Sequence, residues 1–360
     1  MRFLLVSMLC AALAACAMPA KDPAMSTAIA VPDADTHHGE ATPWTGLEAL
    51  DAPEKFQFAV MTDRTGGRRP GIFPVGVDKV NLVQPAFVMS VGDLIQGYTK
   101  DTAQITAEWD EFDGMVEELD APFFYVPGNH DMMNVEMEGI WKARFGASFY
   151  HFRYKDTLLL VLNSEYLDIS DIEGASNDRT GGPGHDEWVE TDGFKAARDA
   201  QFAYAEKVLT ANPDVRWTFV FIHKPFWRSS WVYPPRDPET REFILNDYPV
   251  DGPYPTNLEV PADWQRLQDM LGTRDYTAFA GHRHSYDYGE FSDGPHTHEH
   301  ITLATTGGGS RLRGLTYGEF DHVMWVTMTE DGPVFANLML DGVQPKDFPQ
   351  PDRSPWFVTE

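Results

Sequence analysis

Five apolar runs, Phe56–Thr62, Ala86–Val91, Pro122–Val126, Trp217–Ile222 and Tyr276–Ala280, punctuate this chain. Each is short, continuous and bounded by Gly, Pro or Asp, the pattern of a buried strand. Between them the period changes. From about Thr102 to Leu119, Ile105, Trp109, Phe112, Val116 and Leu119 recur at helical spacing with acidic residues opposite. A shorter helix is expected near Asp78–Val83, stopped by Gln84-Pro85, and another over Ala200–Leu209. Asp263 is expected to cap a helix carrying Trp264, Leu267 and Leu271. Strand and helix in alternation predict an α/β fold with a parallel-containing sheet. In the last third, Ile301–Thr306, Val323–Thr329 and Val334–Leu340 read as strands, the last two joined by a turn at Glu330–Pro333. They predict a second sheet packed on the first.

The chemistry lies at the ends of the apolar runs. The first leads into Asp63, the second into Gly92-Asp93, and the third into Gly128-Asn129-His130-Asp131. The fourth leads into His223 and the fifth into Gly281-His282-Arg283-His284. Ligands of open α/β sheets sit beyond the carboxyl ends of the strands, so this order gathers carboxylate, amide and imidazole groups on one sheet edge. Such a donor set suits Mn, Fe or Zn better than Ca or Mg.

In linear order these clusters resemble the signature of the calcineurin-like metallophosphoesterases: Asp-x-His, Gly-Asp, Gly-Asn-His-Asp/Glu, a lone His, then Gly-His-x-His. The resemblance spans roughly residues 56 to 310. It implies a four-layer α/β/β/α sandwich of two mixed sheets flanked by helices. It implies two divalent metal ions sharing a hydroxide, with Asp93 bridging them. Asp63 and His284 would complete one site; Asn129, His223 and His282 would complete the other. His130 would donate a proton to the leaving group or steady the transition state, with Asp131 as the candidate orienting carboxylate or, equally, a helix N-cap. The chain departs from the pattern at Thr65, where the family carries a metal-binding histidine. Fewer nitrogen donors make the Asp63/His284 site harder and favour Mn²⁺ there. The hydroxyl of Thr65 is then expected on a metal-bound water or on the phosphate, or else capping the Gly66-Gly67 turn.

Arg64, Arg68 and Arg69 flank the first cluster, and bidentate phosphate binding competes there with salt bridging to surplus carboxylates. Arg64, Thr65 and Arg68 are the candidate substrate contacts. Phe226, Trp227, Trp231 and Tyr233, before the Pro-rich stretch 234–255, read as a hydrophobic cluster under a long loop or as a stacking cover for the metals. His296, His298 and His300 alternate as ligands of a further metal site would, but beside Pro295 and Glu299 they read as an exposed loop running into a strand. The competing functional class is a non-catalytic binding lipoprotein with a degenerate centre, which only Thr65 favours.

With 360 residues, 42% apolar, the chain can bury a large core. Its formal charge of −27 repels nucleic-acid backbones and anionic headgroups. A small phosphorylated substrate remains compatible, because a local metal centre outweighs a diffuse field at close range. Arg2 and the apolar stretch Phe3–Ala15 read as a secretory signal. Leu13-Ala14-Ala15-Cys16 looks like a bacterial lipobox, with lipidation at Cys16. The expected organisation is a signal at 1–15, a flexible tether at 16–54 carrying a solvated His37-His38, a catalytic domain at 55–343 and an irregular tail at 344–360. The expected location is the cell envelope, on the periplasmic face of the outer membrane where the host has two membranes. Cys10, the only other cysteine, falls within the signal, so a mature chain carries no disulfide.

Overall fold

A computed structural model describes residues 55–165, 192–227, 262–293 and 296–343. The signal, the tether, Cys16, Trp231, Tyr233, the stretch 234–255 and the tail lie outside the described residues. No helix among the described residues is long and apolar enough to cross a membrane.

Two mixed sheets form the frame. The first has five strands in the order β11-β10-β1-β2-β3. β1 (Phe56–Met61), β2 (Val88–Ser90) and β3 (Phe123–Phe124) are parallel. β10 (His322–Thr329) and β11 (Gly332–Met339) form the expected hairpin, but it extends this first sheet, with β10 antiparallel to β1, instead of building a second one. The second has six strands in the order β4-β5-β6-β7-β9-β8. Its parallel centre is β5 (Thr157–Val161), β6 (Trp217–Phe221), β7 (Tyr276–Ala280) and β9 (His296–Thr302). β4 (Tyr150–Tyr154) and β8 (Asp287–Asp293) are its antiparallel edges.

The apolar runs are continuous because both faces of the strands are covered. In β1, Phe56, Phe58 and Val60 face the other sheet, meeting Phe219 and Phe221, while Ala59 and Met61 pack under helices. Those helices are α1 (Ile72–Val83), α2 (Thr102–Val116) and α3 (Val135–Phe145). On the far side, Leu158 and Leu160 of β5 pack with α4 (Asp192–Ala211) and α5 (Ala262–Leu271) through Phe202, Trp264 and Leu267. Helices therefore cover both sheets in a four-layer arrangement.

α2 follows its sequence closely. Asp101 caps it by accepting from Ala103 N and Gln104 N, a feature worth about 1 kcal/mol. Ile105, Trp109 and Phe112 form its buried stripe. Other boundaries moved. α1 begins six residues before the expected Asp78, because Pro74 fits in a first turn where its missing N–H costs nothing. Asp263 lies inside the first turn of α5 instead of capping it. β9 starts at His296, so the three alternating histidines are strand residues; His300 is buried, stacked on Trp227 at 5.1 Å and Tyr276 at 5.8 Å.

Candidate metal centre

Each candidate ligand cluster sits in the loop that leaves a parallel strand. Asp63 follows β1, Asp93 follows β2, Asn129 and His130 follow β3, His223 follows β6, and His282 and His284 follow β7. The carboxyl ends of strands from both sheets thus deliver six candidate ligands, together with His130, to one edge. Asp93, His282 and His284 have φ of 57°, 68° and 53°. Left-handed backbone at three non-glycine residues is costly and is retained where tertiary structure over-determines it. Gly281 explains one motif glycine: a Cβ there would lie 2.2 Å from Asp63 Oδ2.

Among the described residues, two groups of side chains are close enough to hold a cation, Asp93/His223/His282 and Asp63/Asp93/His284, and Asp93 belongs to both. In the first group His223 Nε2 lies 3.0 Å from Asn129 Oδ1, 3.0 Å from His282 Nδ1 and 3.2 Å from Asp93 Oδ1. His223 Nδ1 donates to Val91 O at 2.8 Å, which turns the Nε2 lone pair inward. Four electron-rich atoms this close need a proton or a cation among them. In the second group His284 Nε2 lies 3.4 Å from Asp63 Oδ1, and its Nδ1 donates to Gly309 O at 2.6 Å. Both histidines are therefore tautomerically fixed with one nitrogen directed at the carboxylates.

The electrostatics point the same way. Burial would raise the carboxyls of Asp63 and Asp93, but His284 acting on Asp63 and His223 acting on Asp93 outweigh it and hold both below the ordinary range. Burial also opposes a charge on His223, yet Asp93 and Asp63 lift it to about 9. His282 goes the other way, to about 3, because burial and the neighbouring His223 both disfavour its charge. Two buried carboxylates thus recruit positive charge from an imidazole. Divalent cations would supply that charge directly, so the donor set fits them.

His130 lies at the mouth of this centre. Its Nδ1 donates to Gln96 O at 2.7 Å, leaving Nε2 4.0 Å from Asp93 Oδ2. The holder of its tautomer is that backbone carbonyl and not Asp131. The buried Asp131 carboxylate accepts instead from the N–H groups of Asp93, Leu94, Ile95 and Gly128, tying two ligand loops together. Neither does Asp131 cap a helix; Asn134 caps α3 by accepting from Met137 N.

The candidate substrate contacts Arg64, Thr65 and Arg68 each have protein partners. Arg64 is 3% exposed, donates to Leu94 O at 2.9 Å and pairs with Glu111 at 3.0 Å. Arg68 pairs with the same carboxylate at 2.7 Å. Arg69 grips Asp321 with both terminal nitrogens and donates to Gly308 O. The surplus of carboxylates claims all three guanidinium groups. Thr65, fully buried, donates its hydroxyl to Gln96 Oε1 at 2.6 Å, so it faces the Gln96 loop and caps no turn with that group.

Sequence reasoning passed over Gln96 and Tyr98, which contact His130 and Asn129. It also passed over Glu165, whose carboxylate pairs with Lys224 at 2.7 Å beside His223. Glu165 follows β5 as the other clusters follow their strands, and the run Thr157–Val161 was the signal that could have found it.

The family model for the calcineurin-like phosphoesterases matches residues 34–252. No curated protein sequence matches the chain. Among solved structures, a dimetal phosphatase from Danio rerio is similar at 14% identity and a TM-score of 0.51, over 79% of this chain and 96% of that one. A purple acid phosphatase from yellow lupin seeds (Lupinus luteus) is similar at 14% identity and a TM-score of 0.50, over 81% of this chain and 52% of the lupin chain. The structure of PhoD is similar at 11% identity and a TM-score of 0.50, over 81% of this chain and 70% of that one. These likenesses, at such identities, describe a shared fold. With the family match across more than half of its length and this metal-competent edge, the chain belongs to the calcineurin-like phosphoesterases.

Proposed function

We propose that this protein is a metal-dependent hydrolase of a small phosphomonoester or phosphodiester, anchored by lipid in the cell envelope. The observation that carries the catalytic part is the sharing of Asp93 between two cation-competent groups. A pair of divalent cations, when bound, supplies a nucleophilic hydroxide at neutral pH and neutralises phosphoryl oxygens. Asp63, Asp93 and His284 would hold one ion, and Asp93, Asn129, His223 and His282 the other. The chain's own contribution to proton transfer is His130, fixed by Gln96 O with Nε2 turned inward.

Thr65 spends its hydroxyl on Gln96, which supports a weaker, oxygen-richer site at Asp63/His284. That ion is expected to be Mn²⁺, lost on dialysis and restored by addition. A degenerate, purely binding centre is the weaker reading, since the donors at the other ion are all in place. Purified protein treated with chelator and then titrated with Mn²⁺, Fe²⁺ or Zn²⁺ should recover hydrolysis of nitrophenyl phosphate or bis-nitrophenyl phosphate. Comparing the two esters assigns the ester class. No turnover with any metal, alongside tight ligand binding, would favour the binding reading.

The anchor rests on Leu13-Ala14-Ala15-Cys16, and Ala17 after the cysteine fits release to the outer membrane. Cys16→Ser should turn a membrane-associated protein soluble or leave it uncleaved. A fully processed Cys16→Ser protein still on the membrane refutes the anchor.

A further inference from the structure

We propose that Tyr98 is a positioning residue of the metal centre, holding the amide of Asn129 with its carbonyl end toward the cation. This rests on the metal-centre reading above and adds a residue outside the family signature.

Tyr98 is built into place at some cost. Its φ is 56°, a left-handed conformation that an aromatic side chain rarely adopts. The residue before it, Gly97, is pressed so closely on the third ligand loop that a Cβ would lie 1.9 Å from His130 O. Gly97 N also donates to Glu108 Oε2 of α2 at 2.7 Å, and Gln96 O accepts from His130 Nδ1. Three consecutive residues therefore grip the Asn129-His130 pair, and their twist aims the Tyr98 side chain between the two. Its hydroxyl accepts from Asn129 Nδ2 at 2.7 Å. Its ring meets the imidazole of His130 edge-on, with centroids 4.3 Å apart at 63°.

An asparagine amide has one end that can ligate a metal and one that repels it. Asn129 is 4% exposed, so its N–H groups have little access to water. With Oδ1 turned to His223 Nε2 at 3.0 Å, the opposite end needs an acceptor, and the Tyr98 hydroxyl is that acceptor. Without it, the metal-competent orientation strands a buried donor. The flipped orientation satisfies that donor on His223 Nε2 but turns the wrong end to the cation. Loss of the hydroxyl should therefore penalise metal binding at one site and leave the other alone.

The experiment is Mn²⁺ titration of the chelator-treated full chain by calorimetry, for the unaltered protein, Tyr98→Phe, Asn129→Ala and the double variant. Tyr98→Phe keeps the ring on His130 and removes only the hydroxyl. The expected result is a roughly ten- to hundredfold weaker affinity in one binding step, the scale of leaving a buried donor unpaired. The other step should be unchanged. In the Asn129→Ala background the same substitution should have no further effect, because the group it positions is gone. The proposal is overturned if Tyr98→Phe binds Mn²⁺ as the unaltered protein does. It is equally overturned if both steps weaken together, or if the loss persists in the Asn129→Ala background. An unaltered chain that binds no divalent metal at all would instead remove the metal-centre reading itself.

Discussion

His130 reaches the centre through Nε2 alone, since Nδ1 is committed to Gln96 O. His130→Ala should keep both metals and slow turnover by roughly 10²–10⁴-fold, the span of general acid–base catalysis. The defect should shrink with a nitrophenolate leaving group, which departs without a proton. A fall in metal content instead would make His130 a ligand. Arg64 calls for the opposite signature. It is buried against Leu94 O and Glu111, so Arg64→Met should cost about 1–3 kcal/mol in urea unfolding, much of it from the carbonyl left unpaired, and barely move KM. A tenfold rise in KM at unchanged stability would return Arg64 to the phosphate. These two residues mark what was legible at this scale. The six donors were readable because a short motif must carry them at a strand end. The partners of Arg64, Thr65 and Asp131 were not, because each is supplied by a loop or helix distant in sequence.

At the scale of elements, His322 of β10 ties the β10–β11 hairpin to the segment that leaves β9. Its Nδ1 donates to Asn337 Oδ1 of β11 at 2.7 Å, and its Nε2 accepts from Ala304 N at 3.0 Å. Burial lowers its pKa to about 4, against the opposing pull of Asn337, Asp321 and Asp63. The unfolded imidazole titrates near 6.5, so the neutral ring contributes its full stability above that pH. Below it the unfolded chain binds the proton first, and stability falls until the folded group titrates near 4, by up to about 1.4 kcal/mol per pH unit. His322→Gln keeps a donor and an acceptor but removes the titration. Urea melts of metal-free protein between pH 4 and 7 should show a shallower acid decline for the variant; an unchanged slope would mean that His322 is charged in the fold. Helix α2 was readable here through its period and its Asp101 cap, and the β10–β11 hairpin through its turn. Antiparallel β4 was not, because Tyr150–Tyr154 alternates half-buried and exposed positions and lacks a continuous apolar run. α3 was anticipated only through Asp131 as a candidate cap, although Asn134, Glu136 and Glu138 at its start and Lys142 and Arg144 at its end all mark the helix.

For the whole molecule, two covered sheets present their carboxyl strand ends to one edge, where Asp93 joins two cation-competent groups. Two sheets were foreseeable from strand and helix alternation, but not their membership: the C-terminal strands divide, β10 and β11 joining β1–β3 while β9 joins β6 and β7. The convergence of both sheets on a single carboxylate depends on how they pack, which no local stretch encodes. The most direct test is therefore the metal content of the full chain after equilibration with Mn²⁺, compared with Asp93→Asn and Asp63→Asn, each checked for native folding. The account predicts two ions per unaltered chain, one retained by Asp63→Asn, and both weakened in Asp93→Asn with the greater loss of hydrolysis. One ion retained in each variant, with equal losses of activity, would contradict the shared carboxylate on which the account rests.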